Sequence, residues 1–113
     1  MGENGYIIYQ IGVTPDQYRF IRSTARRFRW TIPEVLRASL DHYSQHLEDG
    51  EKYLKFDQYS KILNNFGVNK RQMDFIESMK PMKPAQVVRE ALFSFEIHVK
   101  NRKGRVLVME DGD

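Results

Sequence analysis

Two stretches decide the fold: YIIYQIGVTPDQYRFIRS at 6–23 and KILNNFGVNKRQMDFIES at 61–78. At a spacing of 55, Ile7, Gly12, Val13, Gln17, Phe20, Ile21 and Ser23 fall on Ile62, Gly67, Val68, Gln72, Phe75, Ile76 and Ser78. A second block follows in the same order. EVLRASLDHY at 34–43 falls on QVVREALFSF at 86–95 at a spacing of 52, matching Val35, Arg37 and Leu40 with Val87, Arg89 and Leu92, and Tyr43 with Phe95. Two matched blocks in one order read as an internal duplication whose second copy is shorter between its helices.

Each copy reads as strand, helix, helix. In 6–13 the residues alternate, with Ile7, Tyr9, Ile11 and Val13 on one face and Tyr6, Ile8, Gln10 and Gly12 on the other, the period of a half-buried strand. Thr14 then stands as an N-cap, Pro15 at the first helical position and Gln17 as the answering residue of a capping box, with Val13 and Tyr18 as the hydrophobic staple. Asn69, Gln72, Val68 and Met73 repeat this logic. The first helix is expected over 15–28, with an apolar stripe of Tyr18, Ile21, Ala25 and Phe28. A second capping box, Thr31 with Glu34, opens a helix with the stripe Val35, Leu36, Leu40, Tyr43 and Leu47, matched later by Val87, Val88, Leu92, Phe95 and Val99. The domain reading is a first unit at 6–47, a linker at 48–60 with some helical character, a second unit at 61–99, and at 100–113 a basic NRKG turn, a short strand over 105–109 and an acidic tail.

Composition narrows the function classes. With 113 residues, 41% hydrophobic and 29% charged, the chain suits one shared core and not disorder. There is no cysteine, so no disulfide framework and no thiolate metal site. No apolar run approaches a membrane span, and MGENGYIIYQ lacks the basic and apolar regions of a signal peptide. The expectation is a cytoplasmic protein. Net charge is only +3, but it is segregated. Arg19, Arg22, Arg26, Arg27, Arg29 and Arg37 face only Asp16 and Glu34 in the same stretch; Lys100, Arg102, Lys103 and Arg105 form a second cluster, and acid collects at 48–51 and 110–113. Such segregation favours a polyanionic partner, and it also suits a solvated helix face.

An alternating strand ending in IGVT or FGVN, a capped first helix and a capped second helix of the form TIPEVLRASLDHY resemble the ribbon-helix-helix family of DNA-binding proteins. The resemblance covers 6–43 and 61–95, and tandem copies in one small chain are similar to regulators of archaeal viruses, for which the location would be the host cytoplasm. It implies a mainly α fold with a short β-ribbon, the two copies paired about a pseudo-two-fold axis, and a transcription regulator that is not an enzyme. It implies a ribbon that enters the major groove of double-stranded DNA. A two-stranded ribbon fits that groove, where base edges carry an unambiguous code. The expected base contacts are Tyr6, Ile8, Gln10 and Gly12 with Lys61, Leu63, Asn65 and Gly67. Gln10 and Asn65 suit adenine, the aliphatics suit thymine methyls, and the absence of arginine removes the usual reader of guanine, so an A·T-rich imperfect palindrome is the expected target. Expected phosphate contacts are Arg19, Arg22 and Arg26, with Thr31 and Ile32 at the start of the second helix. In the second copy Lys83 and Pro84 replace the cap, so Lys80 and Lys83 are expected to substitute by charge, and the halves should bind unequally.

Other readings compete. His42 and His46 are four apart, a zinc-compatible spacing, but the sequence offers no third ligand, so no metal site is expected. No nucleophile-and-base set and no glycine-rich phosphate loop is present, and neither a cofactor nor a small-molecule ligand is implied. Phe28, Trp30, Phe93 and Phe95 suit core or subunit packing better than a stacking platform for single strands. The rival class is an antitoxin-type module that uses 100–113 to bind a toxin. A structural role in plasmid segregation or DNA packaging has no discriminating mark. Self-association along DNA is compatible with the regulator reading.

Overall fold

The computed structural model describes residues 5–46 and 61–112, with side chains through Lys100. The expected linker and Leu47 lie outside them. The described elements are β1 (Tyr6–Ile8), β2 (Ile11–Val13), α1 (Pro15–Phe28), α2 (Ile32–Gln45), β3 (Lys61–Leu63), β4 (Phe66–Val68), α3 (Lys70–Ser78) and α4 (Pro84–Gly112). The fold is mainly helical with a short antiparallel ribbon.

Three helix starts follow from three-residue sequence signals. Thr14 Oγ1 accepts from the Gln17 N–H at 3.1 Å, and the Gln17 side chain accepts from the Thr14 N–H at 3.2 Å. Thr31 with Glu34, and Asn69 with Gln72, close the same reciprocal box at the starts of α2 and α3. Each box satisfies donors that a helix end leaves without an intrahelical partner. α4 starts differently. Lys83 gives its carbonyl to the Val87 N–H at 3.0 Å, but an ammonium cannot accept from the free N–H groups.

The ribbon joins sequence neighbours of α1 to those of α3. β1 pairs with β4, setting Tyr6, Ile7 and Ile8 opposite Val68, Gly67 and Phe66. β2 pairs with β3, setting Ile11, Gly12 and Val13 opposite Leu63, Ile62 and Lys61. One register therefore serves both pairings, and the interruption holds Tyr9 and Gln10 on one side and Asn64 and Asn65 on the other. At the interruption the Gln10 N–H donates to Asn65 Oδ1 at 2.9 Å, and Gln10 has φ 21°.

That interruption changes which side chains face inward. Strict alternation would set Ile8 and Ile11 on opposite faces. Instead both are buried, because Tyr9 and Gln10 are both turned out. The expected inward set of Ile7, Tyr9, Ile11 and Val13 is thus corrected to Ile8, Ile11 and Val13. Leu63, Phe66 and Val68 are their counterparts.

Beneath the ribbon lies one apolar cluster: the six inward strand residues, Phe20 and Ile21 of α1, Val35, Leu36, Leu40 and Tyr43 of α2, Ile76 of α3, and Val87, Val88, Ala91, Leu92 and Phe95 of α4. Each buried Val, Leu, Ile or Phe side chain of this cluster stabilises by roughly 1.5–3 kcal/mol. Of the stripe expected on α1, Ile21 is buried and Tyr18 and Ala25 pack against the core, while Phe28 is exposed; Gln17, Phe20 and Thr24 are the further buried residues of the helix.

The buried glutamines have partners far along the chain. Gln17 Nε2 donates to the Arg89 carbonyl at 3.2 Å, and Gln72 Nε2 donates to Asp41 Oδ1 at 3.1 Å. Arg37 Nη1 donates to the Gly67 carbonyl at 2.9 Å, and Arg89 Nη1 to the Gly12 carbonyl at 3.2 Å. Each bond crosses from one half of the sequence repeat to the other, so neither half satisfies its polar groups alone.

The strand expected over 105–109 is replaced by helix, since α4 continues to Gly112. Propagating an existing helix adds a hydrogen bond per residue fixed, whereas an isolated short strand has nothing to pair with. Among the described residues no helix is long and apolar enough to cross a membrane.

Candidate nucleic-acid interface

The outward face of the ribbon comprises Ile7, Tyr9, Gln10, Gly12, Ile62, Asn64, Asn65 and Gly67. None carries a charge. Tyr9 is 70% exposed and Ile62 64%, high values for large apolar side chains. Gln10, Gly12, Asn65 and Gly67 lie where the sequence places them. Ile8 and Leu63 do not: at 2% and 5% exposure they are core residues, and their burial leaves no surface for a base. Tyr6 and Lys61 are exposed at the open ends of the ribbon, in register with Val68 and Val13 and so off the outward face. The Lys61 ammonium lies 5.1 Å from the centre of the Tyr18 ring.

Sequence reasoning missed Ile7, Tyr9, Ile62 and Asn64. A signal was present. Alternation in the second stretch requires Asn64 to be buried between Ile62 and Phe66, which a lone amide resists unless hydrogen-bonded. Asn65 also differs from expectation in detail. Its Oδ1 already accepts the Gln10 N–H, so a bidentate contact to a base would have to displace that bond.

A groove flanks each side of the ribbon. One, of about 640 Å³, runs between the β3–β4 strand and the start of α2, with Tyr18, Ile32, Pro33 and Lys61 in its walls. Ile32 and Lys61 thus come together at one mouth. The other, of about 300 Å³, lies between Ile7, Ile8 and Tyr9 and the start of α4, and holds Lys83 and Glu77. The two grooves use matching positions of the repeat but differ in volume and charge.

The expected phosphate-binding groups are unequally available. Arg19 pairs with Asp16. Arg22 Nη1 donates to the Tyr18 hydroxyl at 3.0 Å. This bond, with the charges of Lys61 and Arg22, holds the Tyr18 phenol below its ordinary range against the opposing effect of burial. Arg26 is exposed and makes no ion pair among the described residues. At the start of α2 the Thr31 N–H is taken by Glu34 Oε1 at 2.6 Å, so a carboxylate occupies the place an anion would seek. Lys80 is held by Glu77 at 2.7 Å, and Lys83 is exposed.

Away from the ribbon, the structure supplies a third imidazole that sequence spacing could not find. His98 of α4 lies with its ring centre 4.3 Å from that of His42, and His46 stacks on His42 at the same separation. Among the described residues no group of three histidine, cysteine or acidic side chains is set to hold a metal ion. The His42 imidazole is held down to about 4, first by burial and then by the neighbouring charges of His98 and His46.

No protein-family model, no curated protein and no solved structure matches the chain.

Proposed function

We propose that this chain is a sequence-specific regulator of transcription that places its antiparallel ribbon in the major groove of double-stranded DNA. In this reading the two halves form a tandem ribbon-helix-helix pair within one chain, related by a pseudo-two-fold axis between Tyr9–Gln10 and Asn64–Asn65. The observation that carries it is the ribbon's outward face. Its eight positions are uncharged and rich in hydrogen-bonding and aliphatic groups, while cations stand on its flanks. That is the division between base reading and phosphate positioning that a groove-bound ribbon requires. The matched register of the two strand pairs supports the axis. The crossed Gln17, Gln72, Arg37 and Arg89 bonds support pairing of the two halves.

The base contacts follow the observed face. Gln10 and Asn64 offer carboxamides to adenine, Ile7 and Ile62 pack on thymine methyls, and Tyr9 reaches the centre of the site with a ring and a hydroxyl. With no arginine or lysine on this face, the target is A·T-rich. It is an imperfect palindrome, because Tyr9 and Gln10 are answered by Asn64 and Asn65. Arg22 and Arg26 supply phosphate contacts that hold register without reading sequence.

The test is selection from random duplexes with the wild type, Gln10→Ala and Asn64→Ala. Each variant should relax a different base pair, at about 1–3 kcal/mol. Ile8→Val, a change beneath the face, should leave the consensus alone. A G·C-rich consensus, or one indifferent to both carboxamides, would overturn the assignment.

A further inference from the structure

The turn between α1 and α2 carries two cations, Arg27 and Arg29, beyond the Arg26 already assigned to the ribbon's phosphate contacts. Arg26, Arg27, Phe28, Arg29 and Trp30 are consecutive. Trp30 packs against the core, and Phe28 stacks on Trp30 with ring centres 4.8 Å apart. The Arg27 guanidinium lies over the Phe28 ring at 5.0 Å. A chain of contacts therefore runs from the core to an exposed cation, and a cation–π contact leaves its N–H edges free to donate. Arg29 ends α1 in the left-handed region, with φ 59° and ψ 43°, a place where glycine would carry no steric penalty. Neither Arg27 nor Arg29 makes a side-chain ion pair or hydrogen bond among the described residues.

The location gives this turn a direction. Ile32, two residues past Trp30, lines the larger groove together with Ile62, Asn64 and Asn65 of the ribbon. The matching turn of the other half is different in kind. There Lys80 is neutralised by Glu77, Pro81 takes a place in the turn, and Lys83, the exposed cation that remains, shares the smaller groove with Glu77.

We propose that the α1–α2 turn is a second and one-sided DNA contact, in which Arg27 and Arg29 bind phosphates flanking the groove on the side of the first half only. This rests on the ribbon reading and adds a polarity to it. The protein covers more DNA on one side of its pseudo-axis than on the other, so an imperfect palindrome is bound in one preferred orientation.

The experiment compares the wild type, Arg27→Gln, Arg29→Gly and the double variant. The first probe is a short mixed-sequence duplex, titrated by fluorescence anisotropy across a range of salt concentrations. The second is hydroxyl-radical footprinting on a duplex obtained by selection. Because both residues are exposed, the variants should stay folded: glycine suits position 29, and Arg27→Gln loses only an exposed cation–π contact, a few degrees in unfolding temperature. Each lost contact should reduce the salt slope by about 0.9, and the double variant should bind at least tenfold more weakly at low salt. Protection should be lost on one side of the footprint, with the consensus unchanged. An unchanged slope and footprint, or symmetric loss, would overturn the proposal and leave the ribbon reading standing. So would a larger loss on a single strand than on the duplex, which would make Phe28 and Trp30 a stacking site. Failure of the wild type to bind duplex DNA at all would overturn both.

Discussion

Lowering the pH should destabilise the protein through His42. Its imidazole is held at about 4 against an ordinary 6.5, chiefly by burial and then by the charges of His98 and His46. The depressed value means that the unfolded chain takes up this proton first. The contribution is present in full above pH 6.5 and is lost progressively as pH falls toward 4, below which the loss grows no further. A shift of that size corresponds to at most about 3.4 kcal/mol, at 1.36 kcal/mol per unit. His42 retains a solvent-exposed edge, and screening reduces the effect to roughly 1–2 kcal/mol. For a domain of this size that is a fall of about 5–12 °C in unfolding temperature. The assay is calorimetric or circular-dichroism melting from pH 7 to 4 for the wild type and His42→Phe, which keeps a ring against Phe95, 5.6 Å away in the native protein. Proton NMR of the imidazoles follows the three titrations separately. The variant should lose that part of the pH dependence. A His42 resonance titrating near 6.5, or equal pH slopes in the two proteins, would refute the reasoning.

Three other outcomes are expected. Ile8→Ala and Leu63→Ala should each cost about 2–5 kcal/mol in denaturant unfolding, and Ile7→Ala and Ile62→Ala about 0.5 kcal/mol or less; the reverse order would restore strict alternation of the ribbon. Glu34→Gln keeps an acceptor for the Thr31 N–H but removes the charge at the start of α2, so duplex affinity measured by anisotropy should rise several-fold, and a fall would deny that helix end a phosphate role. If the halves pair within one chain, the unfolding midpoint should not depend on protein concentration and sedimentation should give a monomer mass; a midpoint that rises with concentration would mean exchange between chains.

The helix starts were legible because a capping box is local: Thr14 with Gln17, Thr31 with Glu34 and Asn69 with Gln72 each close over three residues, whatever lies elsewhere. The repeat was legible as well, and with it the positions that are apolar in both halves, Ile7 with Ile62, Ile8 with Leu63, Ile11 with Phe66 and Val13 with Val68. Which of these point inward was not legible from period alone. The interruption at Tyr9–Gln10 exists because Asn65, 55 residues away, meets the Gln10 N–H, and that bond is available only once the two strands are side by side. The same holds for Gln17 and Gln72, whose buried side chains look out of place on a helix until the opposite half supplies their partners. His98 joins His42 and His46 only through the packing of α4 on α2. Local hydrogen bonds and apolar periodicity act over a few residues and are written in order along the chain; the facing of a strand and the company of a buried polar group depend on register between distant segments, which only the assembled core fixes.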